Sequence, residues 1–159
     1  MPDSIVKATI REIEPLRIDD RVGFAARRVM EENLPALPAV DEDGSFAGIF
    51  GEREFMAAWF PGYVRTLASS AMISRTVDEM IDRRVGCSEE PIRDYLTTDH
   101  VVVEDDYADT QLAELFLHHR VLIIPIASEG RVHAVVTRND FFRGLAERVV
   151  GPVERLPGG

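Results

Sequence analysis

The chain has 159 residues, with 18 lysines and arginines against 28 aspartates and glutamates, a formal net charge of −10 at pH 7. That length suits one ordinary domain or two small ones, and it buries a core without a covalent staple. The acidic balance repels phosphate backbones and argues against a nucleic-acid partner, while the lone Cys87 excludes an internal disulfide framework or a cysteine-based zinc site and fits a reducing compartment.

The composition, 45% hydrophobic and 29% charged, is that of a folded globular chain. Charges at Asp3, Lys7, Arg11, Glu12, Glu14, Arg17, Asp19 and Asp20 interrupt any apolar leader. The longest apolar run, residues 121–127, is far short of the ~20 residues that span a bilayer. A soluble, cytoplasmic protein without a membrane partner is the expectation.

In chain order, a strand is expected near residues 13–18, followed by a helix whose apolar face is Val22, Ala25, Ala26, Val29 and Met30. The apolar stretch 36–40 reads as a strand, Asp43-Gly44 as a hairpin turn, and 46–50 as the returning strand. A helix starts near Glu52, and Pro61-Gly62 ends it. A further helix is expected over about 64–72, with Trp59, Phe60 and Tyr63 as an aromatic cluster in a core or an interface. Thr76-Val77-Asp78-Glu79 has the form of a capping box, opening a helix that Gly86 stops. Residues 87–91 read as a polar linker. A fourth strand is expected near 97–102, then a helix with Leu112, Leu115, Phe116 and His119 on one face. The strand 123–127, the turn Glu129-Gly130, the strand 132–136 and a helix from Arg138 complete the pattern, before a loose tail at 151–159.

The same order of elements therefore occurs twice. Pro38 and Pro125 stand 87 residues apart, Glu54 and Asp140 stand 86 apart, and the one-residue difference falls in the hairpin turn.

The repeated unit resembles the cystathionine β-synthase (CBS) domain, and the pair resembles a tandem CBS or Bateman module. The residues that carry the resemblance are Leu37-Pro38-Ala39-Val40-Asp41 with Asp43-Gly44 and Gly48, and Ile124-Pro125-Ile126 with Gly130 and Ala134-Val135-Val136-Thr137-Arg138-Asn139-Asp140. The resemblance implies an α+β fold of two pseudo-symmetric β-α-β-β-α units packed through their sheets, with extra linker helices. The units would be repeat 1 at 1–60, a helical connection at 61–90, which is longer than the family pattern accounts for, and repeat 2 at 91–150. It further implies a homodimer and an adenosine-containing ligand such as AMP, ADP, ATP or S-adenosylmethionine.

The family's ligand motif ends in a Thr or Ser and, three residues later, an Asp. In the second repeat it maps to Val136, Thr137, Arg138 and Asp140, with Ala134 where the family has Gly. An ionised carboxylate can accept from both ribose hydroxyls, and a helix start with a hydroxyl can hold phosphate oxygens. The same four residues also make an ordinary helix start, with Thr as N-cap and an acid in the first turn. The first repeat departs from the motif, with Gly51 for the Thr and Glu54 for the Asp, so its cleft is expected to be degenerate.

Other chemistry is weaker. His118 and His119 point about 100° apart on a helix and are poor joint metal ligands. Asp19-Asp20 and Glu104-Asp105-Asp106 read as acidic helix starts. Cys87 lies among acids that raise a thiol pKa, which argues against a nucleophile. No Gly-rich phosphate loop or nucleophile elbow occurs. The expectation is a non-catalytic regulatory module sensing an adenine nucleotide, with no metal and no required cofactor, acting on an unknown regulated protein. The alternative is a dimerisation or protein-interaction module with a degenerate ligand site.

Overall fold

In the computed structural model, described for residue 5, residues 9–60 and residues 76–152, the chain forms two compact units. One comprises Pro15–His100, the other Met1–Glu14 together with Val101–Gly159.

In the Pro15–His100 unit, β2 (Leu16–Arg17) lies parallel to β3 (Ala36–Val40), and β4 (Phe46–Gly51) returns antiparallel to β3. Helix α1 (Val22–Glu32) joins β2 to β3, and α2 (Glu52–Trp59) follows β4 directly. Val22, Ala25 and Val29 form the buried stripe of α1, while Met30, expected on the same face, is exposed. All five residues of β3 are buried, which suits a central strand covered on both faces. Leu37 and Ala39 on it, and Leu16 and Phe50 beside it, are fully buried, the leucines and the phenylalanine each worth about 1.5–3 kcal/mol. The hairpin turn is closed by Asp41, whose Oδ1 accepts from the amides of Asp43 (2.9 Å) and Ser45 (3.0 Å), with Gly44 at φ 81°.

The stretch after residue 75 is part of this unit. Thr76 caps α3 (Val77–Arg83) by accepting from the Glu79 amide at 3.2 Å, as the capping-box pattern predicts. Arg84 then turns back. Its Nε donates to the Ala58 carbonyl (3.0 Å) and its Nη2 to Tyr95 Oη (2.6 Å) and Glu90 Oε2 (3.1 Å), and Tyr95 Oη donates to the same Glu90 oxygen. Residues 87–91 are not a free linker. Cys87–Glu89 is a 3₁₀ turn with Cys87 buried, and the Val22 amide donates to the Glu90 carbonyl at 2.9 Å. Burial pushes the Cys87 thiol above its usual value, with Glu90 adding to the rise. The expected helix at 64–72 and Tyr63 of the aromatic cluster lie outside the described residues. Of that cluster, Trp59 stacks on Phe55 with ring centroids 4.6 Å apart.

The other unit repeats the plan. β5 (Val103–Glu104) runs parallel to β6 (Ile123–Ser128), β7 (Arg131–Thr137) is antiparallel to β6, α4 (Asp109–His118) joins β5 to β6, and α5 (Arg138–Val150) follows β7. Val103, Leu112, Ile124, Ile126, Ala134, Val136 and Phe141 form its core. Pro38 and Pro125 sit alike, each one residue before its strand begins parallel pairing, at Ala39 and Ile126, where a missing N–H disturbs the ladder least. Asp19, Asp20 and Asp105 do not start helices. Asp19 pairs with Arg93, Asp20 accepts from the Arg17 amide, and Asp105 pairs with His133.

The sheet of this unit has a fourth strand that the repeat did not predict. β1 (Arg11–Glu12) lies antiparallel to β7, Arg11 opposite Val135 and Glu12 opposite Ala134, so the order is β1-β7-β6-β5. Residues 9–14 thus lie with the later half, and residues 76–100 lie with the earlier half.

Candidate ligand site

The site begins where β7 becomes α5. Strand alternation sends Ala134 and Val136 into the core, where both are fully buried. Val136 therefore packs in the core and does not line the cavity at Asp140. Thr137 is the N-cap, and its Oγ1 accepts from the Asp140 amide at 3.0 Å. That bond satisfies one orphan donor of the helix and fixes Asp140 in the first turn. Arg138, the cation expected beside the acid, is exposed and outside the cavity at Asp140.

A different cation meets Asp140. Arg11 reaches over from β1 and grips the carboxylate with two bonds, Nε to Oδ2 at 2.8 Å and Nη2 to Oδ1 at 3.2 Å. This two-toothed geometry is the strong form of the arginine–carboxylate pair. The Asp140 side chain is 19% exposed and that of Arg11 is 41% exposed.

Beside this pair opens a cavity of about 600 Å³, lined among others by Arg11, Asp140, Arg143, Gly144, Glu147 and Arg148. Its wall is one face of α5, since positions 140, 143, 144, 147 and 148 recur at helical spacing. The opposite wall carries Ile5 and Thr9, both helical. Gly144 permits their approach, because a Cβ there would lie 2.9 Å from Ile5 Cγ2. Three arginines and two carboxylates therefore face one space of a size that suits a small ligand.

The equivalent place in the Pro15–His100 unit is closed by its own chain. Thr97 pairs antiparallel with Ile49, and its Oγ1 donates to Glu54 Oε2 at 2.9 Å, with Glu54 buried. Gly48 allows this, since a Cβ there would sit 2.7 Å from the Thr97 carbonyl oxygen. Gly51 is demanded by the backbone, since a Cβ would sit 2.2 Å from the Pro35 carbonyl oxygen. A threonine at position 51, as the motif would have it, has no room.

The two arrangements correspond. Arg11 and Thr97, Val135 and Ile49, and Asp140 and Glu54 are all pairs 86 residues apart. In each unit a segment from the start of the other repeat joins the edge of the last strand, and its side chain lands on the acid of the following helix.

Elsewhere, His133 Nε2 lies 2.8 Å from Asp105 Oδ1, and hydrogen bonds from Ser128 and His133 hold Asp105 below the usual carboxylate range. His118 and His119 are exposed. Among the described residues, no three His, Cys, Asp or Glu side chains are placed to hold a metal ion. No described helix is long and apolar enough to cross a membrane.

The CBS domain family profile matches residues 6–60. That stretch belongs to the CBS domain family. Solved structures extend the CBS fold over most of the chain. The chain is similar to CBSX2 in complex with AMP, at 16% identity and a TM-score of 0.65, covering 92% of this chain and 99% of that one. It is similar to the CBS domain of a CBS domain-containing membrane protein from Sphaerobacter thermophilus, at 19% identity and a TM-score of 0.66, covering 87% and 85%. A CBS-domain protein from Agrobacterium tumefaciens, ATU1752, gives 17% and 0.62 over 89% and 95%. No curated protein matches the sequence. The α+β tandem CBS fold expected from the repeat is the fold of this chain.

Proposed function

We propose that this chain is a non-catalytic regulatory module that binds an adenosine-containing ligand beside Asp140, works as a homodimer, and alters the behaviour of a regulated protein. AMP, ADP, ATP and S-adenosylmethionine are the candidate ligands. The observation that carries the reading is the carboxylate at a capped helix start, opening on a 600 Å³ cavity that three arginines line. In this reading Asp140 accepts from the two ribose hydroxyls, Thr137 positions it, and the arginines take the anionic end. The resemblance in fold to a protein solved with AMP supports the same class of ligand. Signalling follows from differential affinity for two arrangements of the protein, since only that shifts an equilibrium.

The test is a thermal-shift panel of adenine compounds on the wild type and on Asp140→Ala. A ligand at a hundred times its dissociation constant stabilises by about 2.7 kcal/mol. The expected result is a raised melting temperature with at least one compound that the variant loses. A flat panel, or an equal response from the variant, contradicts the reading.

A second reading is an interaction module with a decayed site. Two observations favour it, the prior engagement of Asp140 by Arg11 and the exposed apolar row Phe142, Leu145 and Val149 on α5. A partner recovered by pull-down, with recovery indifferent to added nucleotide, would support it over the first.

A further inference from the structure

We propose that Arg11 sets the chemical class of the ligand. The site then takes a phosphate-bearing nucleotide and rejects the bare nucleoside, because the ligand must replace Asp140 as the partner of the Arg11 guanidinium. This rests on the reading of Asp140 as the ribose-binding group.

The argument starts from the two bonds at Asp140. A carboxylate presents both oxygens together along one edge, and the Arg11 fork takes Oδ2 through Nε and Oδ1 through Nη2. A ribose diol that bonds both oxygens at once needs that same edge, and Arg11 already holds it, leaving only the outer lone pair of each oxygen. The two partners compete for a side chain that is only 19% exposed. Entry of a diol therefore releases the guanidinium. A nucleoside brings nothing to receive it, and it exchanges a charge-assisted pair for neutral hydroxyl donors. A nucleotide brings an anion into a cavity that Arg11 already lines, with Arg143 and Arg148 on the facing helix. The guanidinium then passes from carboxylate to phosphate without losing an anionic partner. Because Arg11 lies on β1, paired to β7 at Arg11 and Glu12 with a further bond from the Ile13 amide to the His133 carbonyl, its backbone need not leave the sheet for its side chain to swing.

The experiment is calorimetric titration of AMP and of adenosine into the full chain as wild type, Arg11→Gln and Arg11→Lys, with melting curves to verify folding. For wild type, AMP is expected to bind at least about tenfold more tightly than adenosine. Arg11→Gln frees Asp140, so adenosine should bind more tightly than it does to wild type, by about tenfold, while AMP weakens. Arg11→Lys keeps the cation but not the fork and should fall between. A residue that only touched phosphate would leave adenosine binding unchanged on substitution, and that result would overturn the proposal. Equal wild-type affinities for AMP and adenosine would also overturn it while leaving the ribose reading standing. Failure of both compounds to bind all three proteins would remove the ribose reading and this inference with it.

Discussion

Thr137 and Glu54 are the two buried polar side chains in the described core, and each sits beside a helix start. Thr137 uses its oxygen as a cap, so Thr137→Val leaves the Asp140 amide without an acceptor and should cost about 1 kcal/mol in a urea melt, with Thr137→Ser close to wild type. Glu54 depends on Thr97. Thr97→Val strips a buried oxygen of its donor and should cost about 1–3 kcal/mol, and a double-mutant cycle with Glu54→Gln should show the two residues coupled. Tyr95 gives a pH signature. Burial, and then its hydrogen bond to Glu90, push its phenol from the ordinary 10.0 up to about 12. The folded state holds the protonated phenol, so its contribution to stability is complete below pH 10 and is lost as pH rises from about 10 to about 12. Absorbance at 295 nm should show a late tyrosinate component near pH 12 that Tyr95→Phe removes.

At the scale of elements, close backbone approach explains where the first repeat departs from the family motif. Gly51→Ala places a Cβ against the Pro35 carbonyl, which cannot move without disturbing the start of β3. A loss of more than about 3 kcal/mol, or failure to fold, is expected by circular dichroism. The strands β3, β4, β6 and β7, the described helices and both hairpin turns were readable because their signals are local: helical spacing in α1, a Gly at positive φ in each turn, a cap at Thr76 and Thr137. The strand expected near 97–102 is instead an isolated bridge at Thr97, and β5 is Val103–Glu104. Even the extra residue of the first turn is where the spacing of the prolines puts it. The strand β1 was not readable. Two residues with no apolar run carry no strand signal, and the pairing of Arg11 with Asp140 spans 129 residues. Arg138 drew attention by adjacency to the motif, whereas helical geometry turns Arg143 and Arg148 to the cavity instead. Those positions share a helix face with Asp140, and that spacing was the available signal, although in sequence it looks like an ordinary solvated face. For Thr97 and Glu54 the available clue was the 86-residue offset that they share with Arg11 and Asp140.

At the scale of the whole molecule, a chain of net charge −10 gathers three arginines around one cavity. A general acidic surface slows the approach of anions, while a local cationic recess holds them. Duplication supplied two versions of one device, a neighbouring segment laid on the last strand with its side chain on the next helix's acid. In one unit that acid is sealed beneath a threonine, and in the other it lies under an arginine at the mouth of a cavity. The most direct measurement is a crystal structure of the chain grown with AMP. The account predicts both ribose hydroxyls within hydrogen-bond distance of the Asp140 carboxylate, and the Arg11 guanidinium withdrawn from Asp140 and bonded to the phosphate. A bound nucleotide that leaves the Arg11–Asp140 pair intact, or that lies away from α5, would contradict it.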